Sequence, residues 1–467
     1  MFHQSTYRTR RAKLLAQLKD RNVETGFIVL LANGESPRNY PDNCYEFRQD
    51  STWLYFIGLR EPGMAALINI AGGETTLFGT ELTVHDMVWT GPRPSLEELA
   101  ALGGISQTAS IDKLAEHIGQ AARYGRIHYL KPYRVDTAQS FSRFLGMPLE
   151  QVGIGASLEL TKAVIALREV KEDEEIGELD AASAVSAEMH QAVLSSLHPG
   201  WRAWEAASLA RYVAESRGFS LSFPSIATTH GEILHNHDYG AVCEDGQLFL
   251  LDAGAESENG YAGDLTTTFP VGRQFTARQK EIYTILLAMM EASIKKTGPG
   301  VRFLDVHLAA AQALAQGLVD LGLYEGEPDE IVALGAHALL FPHGVGHMIG
   351  LDVHDMENLG EDLVGYDGQP RSSQFGLRSL RLAKTLKPGM AHTIEPGIYF
   401  IPGLFELWRS EKKFKHLIRY DRLAAWIGAG GMRIEEDWLV TDTGARRLGP
   451  LLDKGIGAIE AQRRVMH

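Results

Sequence analysis

Apolar positions along this chain change period several times, and each change marks an element. Residues 7–22 carry Leu14, Leu15 and Leu18 on one helical face. Strand-like runs follow at 27–31, 52–59, 65–70 and 75–78, with Ala71-Gly72-Gly73 as a turn between the last two. Ser95 and Glu98 have capping-box spacing ahead of the Leu99–Leu102 run. Helices are expected at 111–122 and 135–145, with a strand at 127–130 between them. Strands and helices in alternation predict a small α/β domain over residues 1–165, in which no catalytic cluster is evident.

Beyond Lys171 the period lengthens. Ile176, Leu179, Ala182, Met189, Val193 and Leu197 give one long amphipathic helix over 172–197, ended by Pro199-Gly200. A second helix is expected at 201–216, ended by Gly218. Strand-like segments follow at 223–228 and 233–235, then a hairpin at 246–270. The order recurs: helix 276–296, ended by Gly298-Pro299-Gly300, helix 303–322, then strands at 391–400 and 432–441. Helix, helix, hairpin, twice, predicts an α+β domain over 166–467 built from two similar halves around one sheet, although no residue-level repeat is evident.

The hairpin GQLFLLDAGAESENGYAGDLTTTFP carries one acid on each arm, Asp252 and Asp264. A carboxylate on a buried strand is costly without a positive partner, and two on one hairpin suit a cation. A two-residue turn at Asn259-Gly260 would pair residue 258 with 261 and leave the acids out of register, so a bulge or longer loop is needed. Further donors lie downstream. FPHGVGHMIGLDVHD holds His343, His347 and His354; its glycines argue against a helix, and in extended chain His343 and His347 share a face. Glu395 sits in AHTIEPGIYF, on a strand interrupted by Pro396-Gly397. In GGMRIEEDWLV, alternation sends Glu435 and Glu436 to opposite faces, and spacing does not choose between them. Oxygen-rich donors favour hard or borderline divalent ions such as manganese over the thiolate sets of structural zinc. Four carboxylates carry −4, which two divalent ions balance. Metal pairs about 3.5–4 Å apart activate water and stabilise the charge that develops in amide hydrolysis.

The bulk properties agree. The formal charge of −14 over 467 residues disfavours nucleic-acid and anionic-membrane partners. Two cysteines, Cys44 and Cys243, make no disulfide framework, and the absence of a secretory signal or a membrane-length apolar run points to the cytoplasm. The charged stretch 409–422 reads as a solvated face.

Five stretches in order, LLDAGAE, YAGDLTTTFPV, PHGVGHMIGLDVHD, TIEPGIYF and GMRIEEDWLVTDTG, resemble the pita-bread metallopeptidases, and within them the Xaa-Pro peptidases, prolidase and aminopeptidase P. The resemblance runs from about residue 165 to the C-terminus, and the N-terminal part is similar to the family's smaller creatinase-like domain. It implies a dinuclear enzyme with manganese, or alternatively cobalt or zinc. Asp252 and His347 would each bind one metal, Asp264 and Glu435 would bridge, and Glu395 would be both ligand and proton shuttle. His354 would donate to the scissile carbonyl, His343 and Arg433 would meet the substrate, and His235 in EILHNHDY would lie beside it, with a turn histidine as the plainer alternative. The implied substrate is a peptide with proline in second position, and the implied assembly a homodimer.

Prolidases and aminopeptidases P differ in the group they accept after proline. A dipeptidase must hold a free carboxylate, which suits an arginine fork. Arg381 in GLRSLRLAKTLKPGM matches the place of such an arginine; the alternative is a basic surface formed with Arg371, Arg378, Lys384 and Lys387. The long connection from Glu395 to Glu435 is also prolidase-like. FPSIATTHGEILHNHDY is shorter than the usual family stretch, Phe223 stands near a common tyrosine, and the Asp252–Asp264 spacing is one residue longer than usual.

Overall fold

Phe27–Leu31 is flanked on both sides in the first sheet, which is why its three central residues are buried. A computed structural model of the protein describes residues 1–464, and the chain divides into two units. The first takes residues 1–168 and 356–360. Its five-stranded sheet runs 107–110, 75–79, 65–69, 27–31, 127–128, with parallel pairs at the two edges and antiparallel pairs between. Val29, Leu67, Phe78, Leu114, Ile118 and Phe141 form its core. One expectation fails here. Residues 52–59 are not a strand; Ser51–Phe56 is a helix, capped by the Asp50 side chain, which accepts from Trp53 N–H at 2.8 Å. All six helical residues are buried. An apolar run buried on every side has no polar phase from which to read its period.

The second unit takes residues 169–355 and 361 onward. Helix Asp173–Ser196 packs on strands Leu248–Ala253 and Leu265–Pro270, and helix Ala277–Lys296 packs on Ala391–Ile394, Gly397–Tyr399 and Gly431–Arg433. Each is followed by a second helix, Ala203–Ser216 and Phe303–Asp320. This is the duplicated helix-helix-hairpin arrangement that the pattern implied. The duplication also has a residue signature that the periodicity did not expose. Pro199, Gly200, Arg202 and Glu205 recur one hundred positions later as Pro299, Gly300, Arg302 and Asp305. In each half the glycine adopts positive φ and the arginine leads into the second helix while forming an isolated antiparallel bridge to a distant residue, Arg202 to Val242 and Arg302 to Thr385. Residues 233–235, expected as a strand, form a turn, with Ile233 N–H donating to His230 O at 3.0 Å. Among the described residues no helix is long and apolar enough to cross a membrane.

The hairpin register settles the geometry of the two acids. Asp252 pairs with Thr266 and Ala253 with Leu265, and the same register continues to Glu256 opposite Ala262. Gly260 N–H closes a turn on Ser257 O at 2.8 Å, Ser257 N–H meets Tyr261 O at 2.9 Å, and Gly260 takes φ +89°. The loop is therefore the three-residue kind, Glu258-Asn259-Gly260, with glycine at the left-handed position. A two-residue turn would have slipped the register by one and sent the acids to opposite faces. The three-residue loop keeps them on one face as diagonal neighbours. Gly254 makes the crossing possible: a Cβ there would lie 1.8 Å from Gly263 O.

Candidate metal centre and active site

Thr266 joins the two halves. Its carbonyl accepts from Glu435 N–H at 3.0 Å, and its hydroxyl donates to Glu435 Oε2 at 2.6 Å. Glu435 thereby reaches the face that carries Asp252 and Asp264. Glu436 takes the other face, paired with Arg447 Nε at 2.9 Å and Lys454 Nζ at 3.2 Å. The histidine segment runs beside 391–395: Thr393 N–H donates to His347 O at 2.9 Å and Glu395 N–H to Val345 O at 2.7 Å. Gly346 permits the approach, since a Cβ there would sit 2.2 Å from Thr393 O. His347 Nε2 lies 3.4 Å from Asp264 Oδ2 and 3.6 Å from Glu395 Oε1. One donor atom each from Asp264, His347 and Glu435 falls within 4.8 Å of the others.

The electrostatics of this cluster are unfavourable without a cation. Burial, then the charges of Glu435 and Asp252, pushes the Asp264 carboxyl well above the usual carboxylate range. Burial, then Glu395, does the same to Glu435. Burial raises Glu395 to about 7 even though Arg433 pulls it down. Asp252 Oδ1 and Asp264 Oδ1 are buried with no hydrogen-bond partner among the described residues. The His347 Nδ1–H donates to Met348 O at 3.0 Å, so Nε2 presents its lone pair to the acids. Burial holds His347 well below the usual imidazole range, neutral and able to ligate. Orphaned carboxylate oxygens facing a neutral imidazole lone pair fit divalent cations.

A cavity of about 370 Å3 opens on this face, with His235, His354 and Arg381 on its walls. The His354 ring lies 4.0 Å from that of His347. Behind the acids, Arg433 donates to Asp252 Oδ2 at 2.6 Å, Thr266 Oγ1 at 3.2 Å and Tyr399 Oη at 3.0 Å. Tyr399 O–H in turn donates to His343 Nε2 at 2.8 Å, and His343 Nδ1–H donates to Gly344 O at 2.7 Å. Burial holds His343 down at about 3, so it is the neutral acceptor this chain of bonds requires. Asp437 Oδ2 accepts from Asp264 N–H at 2.9 Å and from Ser183 Oγ at 2.7 Å, fixing the backbone that carries Asp264.

The profile of metallopeptidase family M24 matches residues 177–442, and that of the aminopeptidase P N-terminal domain matches residues 7–128. The chain belongs to metallopeptidase family M24. It is 30% identical over 439 residues to the Xaa-Pro dipeptidase of Homo sapiens, spanning 92% of this chain and 87% of that one. It is 29% identical over 473 residues to the Xaa-Pro aminopeptidase of Escherichia coli, spanning 97% and 96%. Aminopeptidase PepP of Pseudomonas aeruginosa superposes with a TM-score of 0.81 at 27% identity, covering 99% of this chain and 98% of that one.

In this M24 enzyme the fold brings Asp252, Asp264, Glu395, Glu435, His235, His343, His347 and His354 onto one cavity, while Glu436 faces away. His343 lines the pocket with both ring nitrogens engaged within the protein. Arg433 lines the same pocket while donating to Asp252, Thr266 and Tyr399. Sequence reasoning missed Thr266, Tyr399, Asp437 and Ser183. Parity signals existed for three: Thr266 follows Asp264 by two residues, Asp437 follows Glu435 by two, and Tyr399 follows Glu395 by four. Ser183 matters only through Asp437, 254 residues away, and no local pattern carries that.

Proposed function

We propose that this metallopeptidase hydrolyses the bond preceding proline and that its preferred substrate is an Xaa-Pro dipeptide. The observation that carries the dipeptide reading is Arg381. Its side chain, 35% exposed, lines the same cavity as Asp252, Asp264, His347, Glu395 and Glu435. A free carboxylate after proline is the group such a fork accepts. The cavity lies near the small end of the roughly 300–1,000 Å3 usual for ligand sites, which suits a short substrate. The names of the human and E. coli relatives support the choice of bond.

Asp252, Asp264, His347, Glu395 and Glu435 would hold two divalent cations, manganese in first place, with cobalt or zinc as alternatives. When bound, the cations lower the pKa of water and polarise the scissile carbonyl. The chain's own groups do the rest. Glu395 takes the proton from the attacking water and delivers it to the proline nitrogen as the carbon–nitrogen bond breaks. His354 donates to the carbonyl oxygen as charge develops there. Arg433 holds Asp252 in place, and Tyr399 ties Arg433 to His343.

A second reading, an aminopeptidase for longer peptides, is favoured by the whole-length likeness to aminopeptidase structures. Ala-Pro and Ala-Pro-Gly, assayed side by side on manganese-loaded enzyme, separate the two. Faster turnover of Ala-Pro is expected. Efficient cleavage of Ala-Pro-Gly with little of Ala-Pro would establish the second reading instead.

A further inference from the structure

Residues 361–384 form a folded segment beside the histidine segment, with Tyr366, Leu380 and Ala383 buried together and a network of charged side chains bordering them. The Arg371 guanidinium bonds to Glu361 and Asp362, donates to Leu380 O at 3.1 Å and lies 4.6 Å over the Tyr366 ring. Tyr366 O–H donates to the same Leu380 carbonyl at 2.7 Å. Gly365 O receives both Ala383 and Lys384 N–H at 2.9 Å. Gly365 also abuts the backbone of Arg381, where a Cβ would meet Arg381 O at 1.9 Å. The backbone on either side of Arg381 is thus pinned. Its side chain is not pinned by these contacts, because a long flexible stem separates guanidinium from backbone.

Glu361 supplies a constraint on the guanidinium itself. Its Oε2 engages Arg371, and its Oε1 lies 3.2 Å from Arg381 Nη1. One carboxylate thus bridges an arginine fixed inside the segment and an arginine on the pocket wall. Arg371 and Arg381 together carry +2, and Glu361 with Asp362 carries −2. Glu361 offsets part of the arginines' charge within this bridge, and the wall offers an oriented fork to an incoming carboxylate. Orientation before binding is where affinity for a planar anion is gained, since less rotamer freedom is then lost on contact.

We propose that Glu361 is a specificity-determining positioning residue: through the Arg371–Glu361–Arg381 bridge it aims Arg381 at the carboxylate that follows proline. This rests on the dipeptide reading above. Glu361→Ala is expected to raise KM for Ala-Pro about tenfold, the worth of one charge-assisted hydrogen bond, with a smaller effect on kcat. The ratio of Ala-Pro to Ala-Pro-Gly kcat/KM falls with it. Glu361→Gln, which retains an acceptor and disturbs the segment less, is expected to shift the ratio in the same direction by about threefold. In an Arg381→Ala background, Glu361→Ala should add nothing, because Glu361 acts through Arg381.

Additive losses in that double variant, or equal losses on both substrates in Glu361→Gln, would overturn the proposal. The two readings fail separately. If Arg381→Ala leaves the substrate ratio unchanged, the dipeptide reading falls. If Arg381→Ala lowers the ratio and the Glu361 variants do not, only the role of Glu361 falls.

Discussion

Asp264→Asn separates metal binding from the cost of burying the acids. In the metal-free protein, burial raises the Asp264, Glu435 and Glu395 carboxyls above their ordinary values. Such a group binds its proton more tightly folded than unfolded. Its contribution to stability is full below the unfolded value and is lost as pH rises through the folded one. For Glu395 that window runs from 4.5 to about 7, and the loss across it is about 3 kcal/mol. At roughly 2 cal/mol/K of unfolding entropy per residue, this lowers the melting temperature of a unit of this size by about 5 °C. Cations oppose the loss: at a hundredfold excess over Kd, each site adds about 2.7 kcal/mol, or about 4 °C. The expected result with wild type is a metal-free Tm that falls from pH 5 to pH 8 and is restored by excess manganese. Asp264→Asn removes a donor from the centre of the cluster and one buried charge. Its metal-free form should melt at or above wild type at pH 8, yet respond to manganese by less than about 2 °C. Calorimetric scans of both proteins in chelator and in manganese chloride, with metal content measured on the same samples, test this. A metal-free wild type whose Tm is flat from pH 5 to 8, or an Asn variant that keeps the full manganese shift, would refute the reasoning.

Three further outcomes are expected. Gly254→Ala forces a methyl group against Gly263 O; it should cost about 3 kcal/mol or more and lower metal content, both measurable on the purified variant. Lys171→Met removes from Asp355 its ion-pair partner at 2.6 Å, in a pair with both side chains 1% exposed or less; urea titration should show a loss of about 3–5 kcal/mol, largely recovered by adding Asp355→Leu. Tyr399→Phe leaves Arg433 Nη1 and His343 Nε2 without their shared partner; kcat should fall about tenfold with metal content unchanged, which steady-state kinetics and elemental analysis distinguish.

The helices of the catalytic unit were legible because each buries one face against a sheet or another helix, and its apolar stripe repeats within a few residues. The hairpin was legible because turn chemistry and strand period are equally local. The helix at 51–56 was not, because burial on all sides erased its phase. By alternation alone Glu435 and Glu436 were indistinguishable, since it says only that they part company; the family resemblance named Glu435, and the bridge to Thr266 turns that residue toward the other acids.

The chain by itself determined the donor types, their order, the duplicated helix-helix-hairpin plan and the negative charge that calls for a cation. All of these are properties of near neighbours or of composition. The tertiary structure alone decided that the three-residue loop at 258–260 keeps Asp252 and Asp264 on one face. It alone tied Arg433 to Asp252 and Glu361 to Arg381. Those outcomes depend on register and on backbone approach between distant segments, at glycines where a single methyl group would have closed the gap.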